Sequence, residues 1–175
     1  MNRAIAKFEK VSFEQFLKDM KDTFPIMEEN YIKKIYDNIR LPKRATTGSA
    51  GYDFFSFSTI PYILTPGETV KIPTGIRCLM DENWVLQIYP RSGWGFKYRL
   101  QLDNTVGIID SDYSNSDNEG HIFIKITNDS YSYDKILKIE EGQGMCQGIF
   151  LPYGITVDDD TDGIRNGGFG STTGK

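Results

Sequence analysis

The chain has 175 residues, 39% of them apolar and 13% aromatic, enough for one domain with a real core and too many for a disordered chain. Its net charge of −4 argues against unspecific nucleic-acid or membrane-surface binding, which needs a basic face, but leaves room for one anionic small molecule held by a few cations. No apolar run approaches the ~20 residues that cross a bilayer, and "MNRAIAKFEK" lacks the apolar stretch of a secretory signal, so a cytoplasmic protein is expected.

Cys78 and Cys146 come with no CxxC pattern and no histidine cluster, and read as reduced and buried. Residues 1–40 read as a helical extension. Ser12 followed by Gln15 in "SFEQFLKDM" has the spacing of a capping box, and Phe13, Phe16, Leu17 and Met20 fall on one helical stripe. Pro25 is expected to open a second helix whose face carries Met27, Tyr31, Ile35 and Ile39. Both stripes are expected to pack on the main body.

Helical periodicity stops at residue 41. Short apolar runs follow between Gly, Pro, Asn and Asp: "YDFFSF", "YIL", "TVKI", "IRCLM", "WVLQIY", "VGIID", "IFIKI", "KILKI" and "MCQGIFL". Runs this short, spaced roughly 8–12 residues apart, predict antiparallel strands of a barrel or sandwich over residues 41–160. Residues 161–175 are acidic and then glycine-rich, as in a mobile end.

Several stretches carry candidate chemistry. In "NGGFGSTTGK" the ending suggests a phosphate loop, but Phe169 stands where a Walker motif needs its first glycine, and nothing follows Lys175. The tail then reads either as a disordered end or as a ligand-closing lid, with glycine N–H groups and hydroxyls for an anion and Phe169 for a ring. "YPRSGWGF" brings Arg91, Ser92 and Gly93 to a turn that is either a phosphate cradle or a plain surface turn. "LDNTVGIIDSDY" ends an apolar run on Asp110, Asp112 and Tyr113, with Asn104 and Gly107 ahead of them. It reads as a hairpin with solvated carboxylates, or as a site with a fixed general base. Asp53 follows small residues, and Gln147 interrupts an apolar strand, facing either solvent or a site. His121 is expected on a strand surface. As the only histidine, it builds neither a His-based triad nor a His-containing zinc site.

Taken in order, "LPKRATTGSAGYDFFSF", "PRSG", "NTVGIIDSDY", "GQGMCQGIFLP" and "GGFGST" resemble the five motifs of the trimeric dUTP pyrophosphatases (dUTPases) over residues 41–175. The resemblance implies a jelly-roll-like β-barrel with a short helical N-terminal extension, assembled as a homotrimer with sites between subunits. It implies Mg²⁺-dependent hydrolysis of dUTP to dUMP and pyrophosphate, which limits uracil incorporation into DNA and supplies dUMP. Asp110 matches the residue that activates the attacking water, and Asp53 the one that holds the Mg²⁺ hydration shell. Arg91, Ser92, Gly93 and Gln147 match phosphate-side positions. Asn104 with the backbone at Gly107 and Ile108 matches the uracil reader, and Tyr113 the tyrosine on the deoxyribose. Phe169 matches the aromatic that covers uracil, while Arg165, Gly170 and Ser171 would reach the outer phosphates.

The chain departs from the family pattern after Tyr113, where "YSNSDNEG" delays a glycine as if a turn had grown by about five residues. It departs again in the tail, where Arg165 sits one residue closer to Phe169 than usual. Residues 1–40 lie outside the family core. That extension, or residues 114–120, is a candidate surface for a protein partner such as a repressor. The same-fold alternative is a dCTP deaminase.

Overall fold

The computed structural model describes residues 3–167; the tail positions Phe169, Gly170 and Ser171 lie outside the described residues. The chain opens with a strand, β1 (Ala6–Lys10), and two helices, α1 (Phe13–Thr23) and α2 (Glu29–Asn38). Strands β2 (Lys43–Arg44), β3 (Tyr52–Phe55), β4 (Tyr62–Leu64), β5 (Thr69–Pro73), β6 (Ile76–Met80) and β7 (Trp84–Pro90) follow. A short helix α3 (Ser92–Tyr98) leads to β8 (Leu100–Leu102) and β9 (Gly107–Ile109), then to a 3₁₀ turn (Ser111–Asn115). The last strands are β10 (Phe123–Asn128), β11 (Leu137–Ile139) and β12 (Gly144–Pro152).

Each apolar run named above forms a strand, and the architecture is the expected jelly-roll-like one. The strands form a five-stranded sheet in the order β2-β3-β12-β7-β9, a three-stranded sheet β5-β10-β8, and two-stranded ladders β1-β6 and β11-β4. Phe54, Ile72, Leu86, Ile124, Ile126 and Ile139 fill the space between them. Cys78 and Cys146 are both free and buried in this core. Burial pushes both thiols up, that of Cys78 to about 12, so both stay protonated and inert.

The extension differs from the helical expectation at its start. Ala6–Lys10 pairs antiparallel with β6, opposite Ile76–Met80. Phe8 packs on Tyr52, Phe54 and Phe150 at centroid distances of 5.5, 5.7 and 5.8 Å. An open barrel edge and three rings outweigh the mild helix preference of "AIAKFEK". Pro25 does not open α2. It lies in a turn, and α2 starts at Glu29 with Glu28 as N-cap. Ile32, absent from the expected stripe, is buried with Ile35 and Ile39, while Met27 and Tyr31 are only partly covered.

The capping box is half of what its spacing suggested. Ser12 Oγ does accept the Gln15 N–H at 3.1 Å. The Gln15 amide does not return to Ser12. It donates to Asp19 at 2.8 Å, and the Ser12 N–H goes instead to the Glu119 carboxylate at 2.7 Å.

His121 is not on a strand surface. It precedes β10, is fully buried, and meets Asp19 Oδ2 through Nδ1 at 2.5 Å and the Gly75 N–H through Nε2 at 2.7 Å. Burial works against the Asp19 charge, but the bonds from His121 and Gln15 outweigh it and hold the carboxyl below its ordinary value. Residues 1–40 and 114–120, each read as a partner surface, therefore meet one another at Ser12 and Glu119, and Asp19 meets His121 just beyond.

Close packing completes this seam. Gly75 has φ +70°, and a Cβ there would fall 2.3 Å from Ile39 Cδ1 and 3.2 Å from the Phe16 ring. Phe16 is fully buried, with Phe57 at 5.9 Å and Tyr36 at 5.6 Å between ring centroids. Phe16→Ala should destabilise the whole fold by about 3–5 kcal/mol, read as one cooperative urea transition. A loss below about 1 kcal/mol would mean that the extension does not share the core.

Candidate active site

β9 is the edge of its sheet and pairs with β7 on one side only. Alternation along it sends Ile109 inward and leaves Ile108 53% exposed. Its other side has no ladder partner among the described residues, so backbone donors and acceptors near Gly107 and Ile108 are available to a ligand. The segment before it is not the hairpin that the sequence suggested. β8 pairs with β10 and β9 with β7, so residues 103–106 bridge two sheets. The bridge turns through Thr105 at φ 66°.

A cleft of about 700 Å³ opens beside this edge. Asn104, Gly107, Ile108, Asp110, Tyr113 and Arg165, all expected in a site, line it together. Asp110 caps the 3₁₀ turn at the end of β9, where the apolar run stops and its carboxylate turns half-exposed into the cleft. Arg165 crosses toward it: its guanidinium donates to Asp110 Oδ2 and, at 2.8 Å, to Asp112 Oδ1. The same guanidinium lies 5.8 Å from the centre of the Tyr113 ring. Tyr113 is 9% exposed; its hydroxyl donates to the His121 carbonyl and accepts from Asn118, each at 3.0 Å. Burial raises its pKa despite the Asn118 bond.

The remaining expected residues stand elsewhere. Asp53 on β3 is opposite Gln147 on β12, and its carboxylate lies 3.2 Å from Arg91 Nε. Gln147 donates to the Pro90 carbonyl at 3.2 Å, so it faces neither open solvent nor the core. Arg91 is the N-cap of α3, and Ser92 and Gly93 form its first exposed turn. The sequence suggested only a turn here, because two glycines in "SGWGF" mask the helix. None of Asp53, Arg91, Ser92, Gly93 and Gln147 lines the cleft. The structure thus gathers the expected residues into two sets on one chain.

Sequence reasoning missed Lys71, Asp103, Phe123 and Lys125, which also line the cleft. Lys125 sits opposite Lys71 across the β10–β5 ladder and bridges to Asp103 at 2.8 Å. Phe123 and Lys125 share one strand face by their spacing, which was readable. Their partner across the ladder was not. Among the described residues no group of three His, Cys, Asp or Glu could hold a metal, and no helix is long and apolar enough to cross a membrane.

A family model described as dUTPase matches residues 37–173, so β1 and α1 lie outside the match. The deoxyuridine 5'-triphosphate nucleotidohydrolase of Lactococcus lactis subsp. lactis is 42% identical over 137 residues, 77% of this chain and 88% of that protein. Its counterpart in Sodalis glossinidius is 39% identical over 144 residues, 79% of this chain and 90% of that protein. A solved dUTPase from Streptococcus mutans is 32% identical, covers 85% of this chain and 97% of its own, and has a TM-score of 0.58. A phage phi11 dUTPase variant, in which a structural Mg(II) ion is coordinated, shares the fold with a TM-score of 0.58 at 23% identity, over 74% of this chain and 94% of that one.

Gly144 makes room for Arg91: a Cβ there would lie 2.6 Å from Arg91 Nη1 and 3.1 Å from its Cζ. Gly144→Ala should push Arg91 away from Asp53 and raise the KM for dUTP about tenfold, about what one lost charged contact is worth. An unchanged KM would show that Arg91 does not need its present place.

Proposed function

The chain belongs to the dUTPase family and hydrolyses dUTP to dUMP and pyrophosphate, and we propose how its residues divide that work. The observation that carries the proposal is Asp110, held at the end of an edge strand, inside the cleft that also holds Tyr113. A carboxylate fixed there can align a water and take its proton as the oxygen attacks the α-phosphorus.

The free side of β9 suits uracil, whose edge offers one N–H donor between two carbonyl acceptors. Backbone at Gly107 and Ile108 with the Asn104 amide would satisfy them, and a wrong base would leave polar groups unpaired. Tyr113 packs on the deoxyribose, where a 2′-hydroxyl would not fit. Arg91, Ser92, Gly93 and Gln147 bind phosphate oxygens. Arg165, now on Asp110 and Asp112, exchanges those carboxylates for the outer phosphates, which frees Asp110 to act as base. Phe169, Gly170 and Ser171 would close over base and phosphates as a lid.

A hydrated Mg²⁺ asks for few protein ligands, so the Asp53 carboxylate, now 3.2 Å from Arg91 Nε, would suffice to hold its hydration shell. The ion would supply neutralisation of the triphosphate charge.

The two separated sets of residues support a site shared between copies. The cleft of one chain would receive Arg91, Ser92 and Gln147 from a neighbour, in a homotrimer.

Asp110→Asn should lower kcat for dUTP by about 10²–10⁴-fold and leave the affinity for a non-hydrolysable dUTP analogue nearly unchanged. Rapid-quench hydrolysis and calorimetric titration check the two halves. Turnover near that of the parent enzyme would remove Asp110 from the base role.

A further inference from the structure

We infer that the N-terminal extension is a positioning element for Tyr113 and thereby sets the preference for deoxyribose over ribose; the second step rests on the sugar contact proposed for Tyr113. The Tyr113 hydroxyl is placed by residues 118–121, through the His121 carbonyl and the Asn118 amide, each at 3.0 Å. That segment doubles back with Glu119 at φ 59° and Gly120 at φ 73°. A non-glycine residue holds such a backbone only when its surroundings fix it.

Two of the anchors come from the α1 side, at Ser12 and at Asp19. Glu119 accepts the Ser12 N–H at 2.7 Å and the Ser12 O–H at 2.6 Å, at the start of the helix. His121 is held about two helix turns further on, at Asp19. The Gly75 N–H donates to Nε2 at 2.7 Å, so that nitrogen carries no proton. The ring proton is therefore on Nδ1 and is donated to Asp19 Oδ2 at 2.5 Å. Gln15 donates to the same oxygen at 2.8 Å. These are polar contacts in a fully or partly buried seam, where an unpartnered group is expensive. Apolar stripes alone would dock the helix. The polar contacts add a fixed distance between α1 and the loop that carries the Tyr113 partner groups.

The test uses the full-length protein. Asp19→Ala removes the acceptor for His121. Asp19→Asn keeps it, since one amide oxygen can accept both bonds now made to Oδ2. Glu119→Asn tolerates the positive φ but is too short to reach Ser12. Tyr31→Phe is the control, because it loses the contact between the Tyr31 hydroxyl and Thr59 Oγ1 at 2.5 Å, in the extension but at neither Ser12 nor Asp19. Two quantities are read: the ratio of kcat/KM for dUTP to that for UTP, and the ¹³Cζ resonance of Tyr113.

Asp19→Ala and Glu119→Asn should each shift the resonance and narrow the ratio roughly 2–10-fold, the size of one lost hydrogen bond. Asp19→Asn should restore both, and Tyr31→Phe should change neither. An unmoved resonance in both disabling variants overturns the inference, as does an equal narrowing in Tyr31→Phe. Tyr113→Ala separates the two layers. If it collapses the ratio while the extension variants do not, the inference alone fails. If it too leaves the ratio unchanged, the sugar contact itself is wrong.

Discussion

The hydrogen bond between Asp19 and His121 joins the two parts of this molecule. One partner comes from an amphipathic helix ahead of the barrel, the other from the loop that enters β10. With Gly75 on the second ring nitrogen, the imidazole has no spare valence. Its two ring nitrogens thus orient the Asp19 carboxylate and the Gly75 peptide together. Around it, Phe16 lies at a centroid distance of 6.1 Å and Phe123 at 4.6 Å. Phe123 also lines the cleft, so the seam and the catalytic side share a wall.

The cleft depends on a different constraint, the open edge of β9. A strand whose outer side is unpaired is normally a liability. Here the edge is short and its exposed side chain is a single isoleucine, while charged groups crowd the rim. Asp103, Asp110 and Asp112 meet Lys125 and Arg165 there. Arg165 balances two of these carboxylates, those of Asp110 and Asp112; in the role proposed for Asp110, that pairing would have to open before the carboxylate could act on water.

Much of the barrel was legible because short apolar runs between turn residues have few other uses. Asp110 and Tyr113 were legible because a buried run ending on charged and aromatic residues is local information. β1 was not, because its pairing with β6 joins residues far apart in sequence. α3 was hidden by its glycines, and it ends on Arg99 at φ 50°, a position usually given to glycine. His121 was misjudged for the same reason as Ser12: its partners, Asp19 and Gly75, are distant in the chain. Spacing detects what a residue can bond locally. It found the Ser12–Gln15 bond and could not find Glu119.

The last point bears on why the extension and residues 114–120 occur on one chain. Each leaves polar groups that the other satisfies. Without α1, Glu119 would hold a left-handed backbone with no partner, and His121 Nδ1 would lose its acceptor. Without the loop, the first N–H of the α1 capping position would lose its carboxylate, and Asp19 would be left facing an apolar seam. An isolated helix of this length is marginal in water, and the loop holds a left-handed residue at Glu119. Together they form one rigid bracket behind Tyr113. The pair is best regarded as a single addition to the barrel, and its natural point of action is the residue it touches in the cleft.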